Sequence, residues 1–188
     1  MVPAPLRSRP GPRPFAILVC VVVVLAMLAA RPAAAGLPAA YAPIVVEAQG
    51  RPARLEFDLT PALERANREG KRLYVYLGAR DCAFCRKYEA FLAAHAAELV
   101  PHFAADYLVV DLRSELAAGA DRVHLRVGER SLNYTEFQRA IGDARERRLM
   151  YPTVWLLGAD AKPLMQMPGG TGTFETVPEQ LEILRLEQ

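Results

Sequence analysis

The segment Asp81-Cys82-Ala83-Phe84-Cys85-Arg86-Lys87 places two cysteines three positions apart. Two thiols at that spacing can exchange reversibly with a disulfide, or they can supply half of a metal site. They are a poor structural staple, because the stabilisation from a cross-link grows with the loop it closes, and this loop is very short. A structural zinc site wants four protein ligands. Outside the N-terminal leader described below, the sequence adds only His95, His102 and His124 as further soft ligands. Thiol–disulfide chemistry is the favoured reading, with no metal and no other cofactor called for.

The flanking residues say how the cysteines are positioned. Leu73-Tyr74-Val75-Tyr76-Leu77 is short, aromatic and β-branched, as in a buried strand. After Cys82, apolar residues fall at Phe84, Tyr88, Phe91, Leu92 and Leu99, mostly three or four apart, as on one helix face. That helix is expected to run to about Leu99, with Pro101 ending it. The pair therefore sits where a strand gives way to a helix. Free N–H groups and the helix dipole favour a thiolate there. Cys82, at the helix start, is expected to be the more acidic and accessible sulfur, and Cys85, one turn in, the more buried. Arg80, Arg86 and Lys87 are either a solvated helix end or charges that favour the Cys82 thiolate. Asp81 opposes that effect unless it is engaged as the helix N-cap. Tyr76 and Trp155 read as core.

The rest of the chain reads as alternating elements. Ile44-Val45-Val46 and Leu55–Leu59 are candidate short strands. Thr60-Pro61 resembles an N-cap followed by proline at the first helical position, with the helix stopping at Gly70. Tyr107–Leu112 is a strand. Val123–Val127 is a loop or a short strand, and Asn133-Tyr134-Thr135-Glu136 is a capping box. Val154–Leu157 and Pro163–Met167 are paired strands, Gly169-Gly170 breaks the second, and Pro178–Leu186 is a terminal helix.

The N-terminus carries a separate signal. Residues 1–14 hold three arginines, and Phe15–Ala30 is an uncharged apolar run followed by Arg31-Pro32-Ala33-Ala34-Ala35-Gly36. Basic region, apolar region and small-residue site together make a secretory signal peptide over residues 1–35. Cleavage is expected after Ala35, with Ala40-Tyr41-Ala42 as a second site and an uncleaved membrane anchor as the alternative. The overall formal charge is +2, but the four leader arginines removed leave 19 basic against 21 acidic residues, which excludes a strongly basic nucleic-acid-binding surface. An apolar content of 52% excludes a disordered chain.

The order strand, Cys-x-x-Cys helix, strand, helix, Tyr151-Pro152-Thr153, strand, hairpin, helix resembles the thioredoxin superfamily, over roughly residues 55–188. The likeness is greatest to secreted bacterial thioredoxin-like proteins. It implies an α/β, thioredoxin-like three-layer fold with a central mixed β-sheet. Residues 36–54 stand as an N-terminal extension, and residues 113–149 as a helical insertion before the cis-proline. By the same resemblance, Cys82 is the exposed attacking cysteine and Cys85 the resolving one. Pro152 is the cis-proline facing them. Tyr151, Thr153, Ala83 and Phe84 line the substrate groove. The sequence departs from the family pattern in having Ala83-Phe84 between the cysteines, Asp81 in place of tryptophan, and Tyr76 in place of a buried acid that moves protons. The implied activity is a periplasmic or secreted thiol–disulfide oxidoreductase, monomeric, acting on a protein disulfide or thiol, with a membrane or periplasmic redox partner and no nucleic acid. The alternative is a thioredoxin-fold scaffold that recognises a partner through residues 113–149.

Overall fold

The computed structural model describes residues 36–142, 148–167 and 175–185. Residues 1–35, with the leader and Cys20, and the Gly169-Gly170 pair lie outside them. Compactness divides the chain into Met1–Ala34 and Ala35–Gln188. None of its described helices is long and apolar enough to cross a membrane.

The strand before the cysteines is longer than its apolar core suggested. It is β4, Arg72–Ala79, and it is buried from Leu73 onward. With β1 (Ile44–Glu47), β5 (Tyr107–Ser114), β8 (Thr153–Leu157) and β9 (Pro163–Met167) it forms a five-stranded sheet in the order β1-β5-β4-β8-β9. The first three run parallel, and β8 and β9 are antiparallel additions. A strand buried on both faces loses the simple alternation of an exposed sheet and reads as a continuous apolar run. Alternation still assigns the faces. Tyr74 and Tyr76 bond to Tyr88 and Glu89 of α2 (Ala83–Ala94), and Tyr74 packs edge-on against Phe103 of α3 (Ala96–Asp106). Val75 faces the other way, beside its antiparallel partner Trp155. There Trp155 packs against Tyr134 and Phe137 of α4 (Tyr134–Ala140). Helices therefore cover both faces of the mixed sheet, the α/β, thioredoxin-like three-layer arrangement.

Four expectations need correcting. The cysteine helix does not run unbroken to Leu99. It breaks at His95, which leaves helical dihedrals (φ −108°, ψ 20°), caps α2 and opens α3. Pro101 lies inside α3, and the restart turns Leu99 and Phe103 into the core. Thr60 is not the N-cap of α1 (Thr60–Glu69), because the Asp58 carboxylate accepts the Thr60 N–H at 3.0 Å. The Thr60 hydroxyl instead accepts the Gly128 N–H at 2.8 Å. Residues 36–54 are no appendage: β1 is an edge strand of the main sheet, and Leu37 and Tyr41 are buried. Finally, residues 113–149 are not simply helical. They hold α4, but also β6 (Val123–Val127) and β7 (Arg130–Asn133). These join β2 (Gln49–Arg51) and β3 (Arg54–Asp58) in a second sheet, ordered β2-β3-β6-β7. Its hairpins need an outside strand to bury their apolar sides, and the parallel β3–β6 pairing provides it.

The capping box of α4 is present as read, with Asn133 and Glu136 each accepting the other's backbone N–H. It delivers Gln138 to the core, where the Gln138 amide accepts the Trp155 indole N–H at 3.1 Å and donates to the Tyr134 hydroxyl. Trp155→Ala is expected to cost about 3–5 kcal/mol, as a large cavity in a close-packed site. Trp155→Phe is expected to cost about 1–3 kcal/mol, because the buried indole N–H bond to the Gln138 amide oxygen is lost. Urea unfolding followed by circular dichroism measures both.

Candidate active site

β4 ends at Ala79, and a two-residue turn over Arg80 and Asp81 leads into Cys82. Cys82 itself is the N-cap of α2, and its sulfur accepts the Cys85 N–H at 3.1 Å. A backbone donor aimed at a sulfur on a helix N-terminus stabilises negative charge there. Across the site the Tyr151–Pro152 peptide is cis. The Cys82 thiol reaches the Tyr151 carbonyl at 3.6 Å. Sequence-distant residues thus meet at one sulfur.

Both cysteines are free thiols, and both are buried. Cys82 is 2% exposed, so the expectation of an exposed attacking cysteine is corrected. Its sulfur turns inward to cap the helix and to donate to Tyr151. Cys85 lies one turn in, with its sulfur accepting the Ala79 N–H at 3.4 Å. Burial, and then the neighbouring Cys82, push its thiol up to about 12.

The groove residues divide by exposure. Ala83 and Phe84 face solvent, Pro152 is half-buried, and Tyr151 and Thr153 are buried. The Tyr151 hydroxyl is held by Ser114 Oγ at 3.1 Å and the Ala118 carbonyl at 3.0 Å. Burial raises it to about 12. Thr153 opens β8 and donates its hydroxyl to the Met150 carbonyl. Phe84, Leu116 and Met150 are large apolar residues about half exposed. Each is tied to the site, Phe84 between the cysteines, Met150 next to Tyr151, and Leu116 by its N–H bond to Asp81.

The charged neighbours make their contacts elsewhere. Arg80 pairs with Glu47, and Lys87 with Glu175. Asp81 is not the N-cap; its carboxylate accepts the Leu116 N–H at 2.8 Å and ties down the loop after β5. Arg86 donates to the Arg80 and Ala79 carbonyls and to Glu89 Oε1. Its Nε lies 2.7 Å from Glu89 Oε2 as an ion-pair contact rather than an aligned hydrogen bond.

Glu89 is the residue that the sequence reading missed. It is buried, and its Oε1 accepts the Tyr76 hydroxyl proton at 2.9 Å. Tyr76 also acts on the neighbouring Cys85, opposing the effect of burial on that thiol. Burial, Cys85 and Glu89 together raise Tyr76 well above the usual phenol range. Hydroxyl and carboxylate form one buried pair next to Cys85. Gly78 makes room for it, since a Cβ there would lie 2.5 Å from the Tyr76 ring. The available signal was spacing: Glu89 stands four residues after Cys85, on the same buried helix face.

No protein-family model matches the chain, and no curated protein does. Among solved structures, the exposed lipoprotein thioredoxin of Streptococcus pneumoniae is similar at 18% identity. That likeness covers 64% of this chain and 88% of the pneumococcal one, with a TM-score of 0.36.

Proposed function

We propose that this protein is an exported thiol–disulfide oxidoreductase that uses Cys82 and Cys85 on disulfides of proteins or small thiols. The observation that carries the reading is the Cys82 sulfur, held at a helix N-terminus by the Cys85 N–H and faced by the carbonyl before Pro152. The Cys82 thiolate attacks one sulfur of a substrate disulfide, that bond breaks, and the other sulfur leaves as a thiolate. Cys85 then loses its proton through Tyr76 to Glu89 and attacks the Cys82 sulfur. The substrate's remaining sulfur departs, and a Cys82–Cys85 disulfide is left. Two electrons pass to the substrate; the reverse sequence oxidises a dithiol. The apolar rim of Phe84, Leu116 and Met150 suits an extended polypeptide around the reacting cysteine. Each cycle spends the two electrons of the dithiol, so turnover needs a redox partner that restores the pair.

Export rests on the leader, and the fold supports cleavage after Ala35 rather than after Ala42. The later cut would remove Leu37 and Tyr41, the latter with its hydroxyl donated to the Leu92 carbonyl at 2.9 Å and its ring against Phe103. The alternative, a scaffold that binds a partner through residues 113–149, is favoured by one observation. A groove of about 290 Å³ lies between Leu125, Val127, Leu132, Phe137, Ile141 and the turn at Ala161.

Insulin reduction by dithiothreitol separates the two. The wild-type protein is expected to speed it at least about tenfold, and Cys82→Ser to return it to the uncatalysed rate. Equal rates with both proteins would leave the scaffold reading.

A further inference from the structure

Asp111 is fully buried in the middle of β5, in register with Tyr76 on one side and Val45 on the other. Its two oxygens are treated unequally. Oδ2 accepts the Leu37 N–H at 3.0 Å and both Nε and Nη2 of Arg113. Oδ1 has no hydrogen-bond partner among the described residues. A buried carboxylate oxygen left without a donor is costly. In keeping with that, burial raises the Asp111 pKa despite the Leu37 and Arg113 donors.

Beside it lies a pocket of about 10 Å³, lined in part by Gly36, Tyr76, Glu89, Asp111 and Arg113. That is space for one water-sized group. Gly36 is fitted to this place. Its φ is +134°, and a Cβ would lie 2.6 Å from Asp111 Oδ2 and 2.7 Å from Arg113 Nη2. The Gly36 nitrogen shares a carbon with that imagined Cβ, so it lies within about 5 Å of the carboxylate. Gly36 is also the residue that follows the Ala33-Ala34-Ala35 cleavage site.

We infer that leader cleavage creates a buried ammonium site: the new α-amino group of Gly36 docks on Asp111 Oδ1. The inference rests on cleavage between Ala35 and Gly36. A leader peptidase adds water across that bond, leaving a carboxylate on Ala35 and an amine on Gly36. The amine takes a proton from solvent and becomes a compact cation with three donors. Before cleavage the same nitrogen is a neutral amide with one N–H, tethered to Ala35. The other charged groups around the pocket are already matched: Arg113 with Asp111, Arg80 with Glu47, and Arg86 with Glu89, while Tyr76 is neutral. Among the described residues no cation is hydrogen-bonded to Oδ1, and the Gly36 nitrogen lies close enough to the carboxylate for the processed terminus to supply one. Maturation thereby locks the N-terminal segment, and β1 behind it, onto the main sheet.

The full chain with its leader is exported and purified, and intact mass reads the N-terminus. A mass starting anywhere but Gly36 defeats the cleavage reading by itself, independently of disulfide chemistry. On the processed protein, trace acetylation with acetic anhydride across pH reads the α-amine. It is expected to titrate clearly above the usual value of about 8, and to return to that value in Asp111→Asn. A raised pKa adds stability that is full below about pH 8 and is lost as pH climbs through the folded-state value. A serine inserted between Ala35 and Gly36 leaves Asp111 intact, moves the amine out by one residue, and serves if Asp111→Asn fails to fold. Processed wild type is expected to melt several degrees above this variant at pH 7, with the gap closing by pH 10 to 11. An α-amine that titrates at the usual value in wild type, or a melting gap that pH leaves unchanged, overturns the inference.

Discussion

Cys85→Ala, mixed with a disulfide-bearing protein such as insulin, is expected to accumulate adducts linked through Cys82, and Cys82→Ala to accumulate none. The asymmetry follows from the helix. Cys82 caps α2 and takes a backbone donor at its sulfur, whereas Cys85 lies a turn deeper with no exposed surface. Cys82 stands at the helix start next to the exposed Ala83 and Phe84, so it is the sulfur nearer to one arriving from outside. Once a mixed disulfide forms, its release needs a second sulfur on the far side of the bond, and Cys85 supplies it. Removing Cys85 converts a transient intermediate into an end product, a change from trace occupancy to near-complete trapping. Non-reducing electrophoresis with peptide mapping reads it. Burial holds the Cys85 thiol far above its ordinary range, so iodoacetamide is expected to label Cys82 first in the reduced wild type. Equal slow labelling, with no adduct from Cys85→Ala, would remove the oxidoreductase reading and leave the scaffold.

The parts of this site that were legible in the sequence are those written in strong local signals. Leu73–Leu77 announces a buried strand, Cys82 and Cys85 stand at its exit, and Asn133 with Glu136 announces a helix start. The second sheet was not legible. Its edge strand Gln49-Gly50-Arg51 is exposed at every residue, so it carries no apolar periodicity. Its centre is a parallel pairing of Leu55–Asp58 with Val123–Arg126, a contact that no local pattern encodes. The helix break at His95 was hidden because apolar spacing continues across it to Leu99. Residues 36–54 looked like an appendage because proline and alanine carry no period. Their place in the core depends on Leu37 and Tyr41 finding Asp111 and Leu92 more than fifty residues away. The role of Glu89 is hidden in the sequence for a related reason. A charged residue in a helix reads as solvated until its partners, Tyr76 and Arg86, are seen.

Those partners set the second large effect. Glu89→Gln is expected to slow the resolving step by about 10²–10⁴-fold, the usual worth of a positioned general base, while leaving the first attack by Cys82 nearly unchanged. The acceptor matters because Cys85 is a poor acid where it sits, and its proton has no direct route to water. Through Tyr76 the proton can reach a carboxylate that lies 2.9 Å from the phenol oxygen. Tyr76→Phe cuts the same relay and is expected to match Glu89→Gln, with no further loss in the double variant, since both remove one path. Dithionitrobenzoate separates the two steps: the first release of thionitrobenzoate reports attack by Cys82, the second resolution by Cys85. The pH profile identifies the cause. A thiol with a raised pKa and no internal base ionises only as hydroxide increases, so in Glu89→Gln the second phase is expected to rise about tenfold per pH unit from 7 to 10. In the wild type, with the base in place, that phase is expected to vary far less over the same range. Loss of the Arg86 contact is a separate consequence of Glu89→Gln, and Arg86→Met controls for it, because it breaks the ion pair while leaving the carboxylate beside Tyr76. A second phase that slows equally in Arg86→Met, or a Glu89→Gln profile as flat as the wild type's, would make Glu89 a structural residue and leave Cys85 to lose its proton by another route.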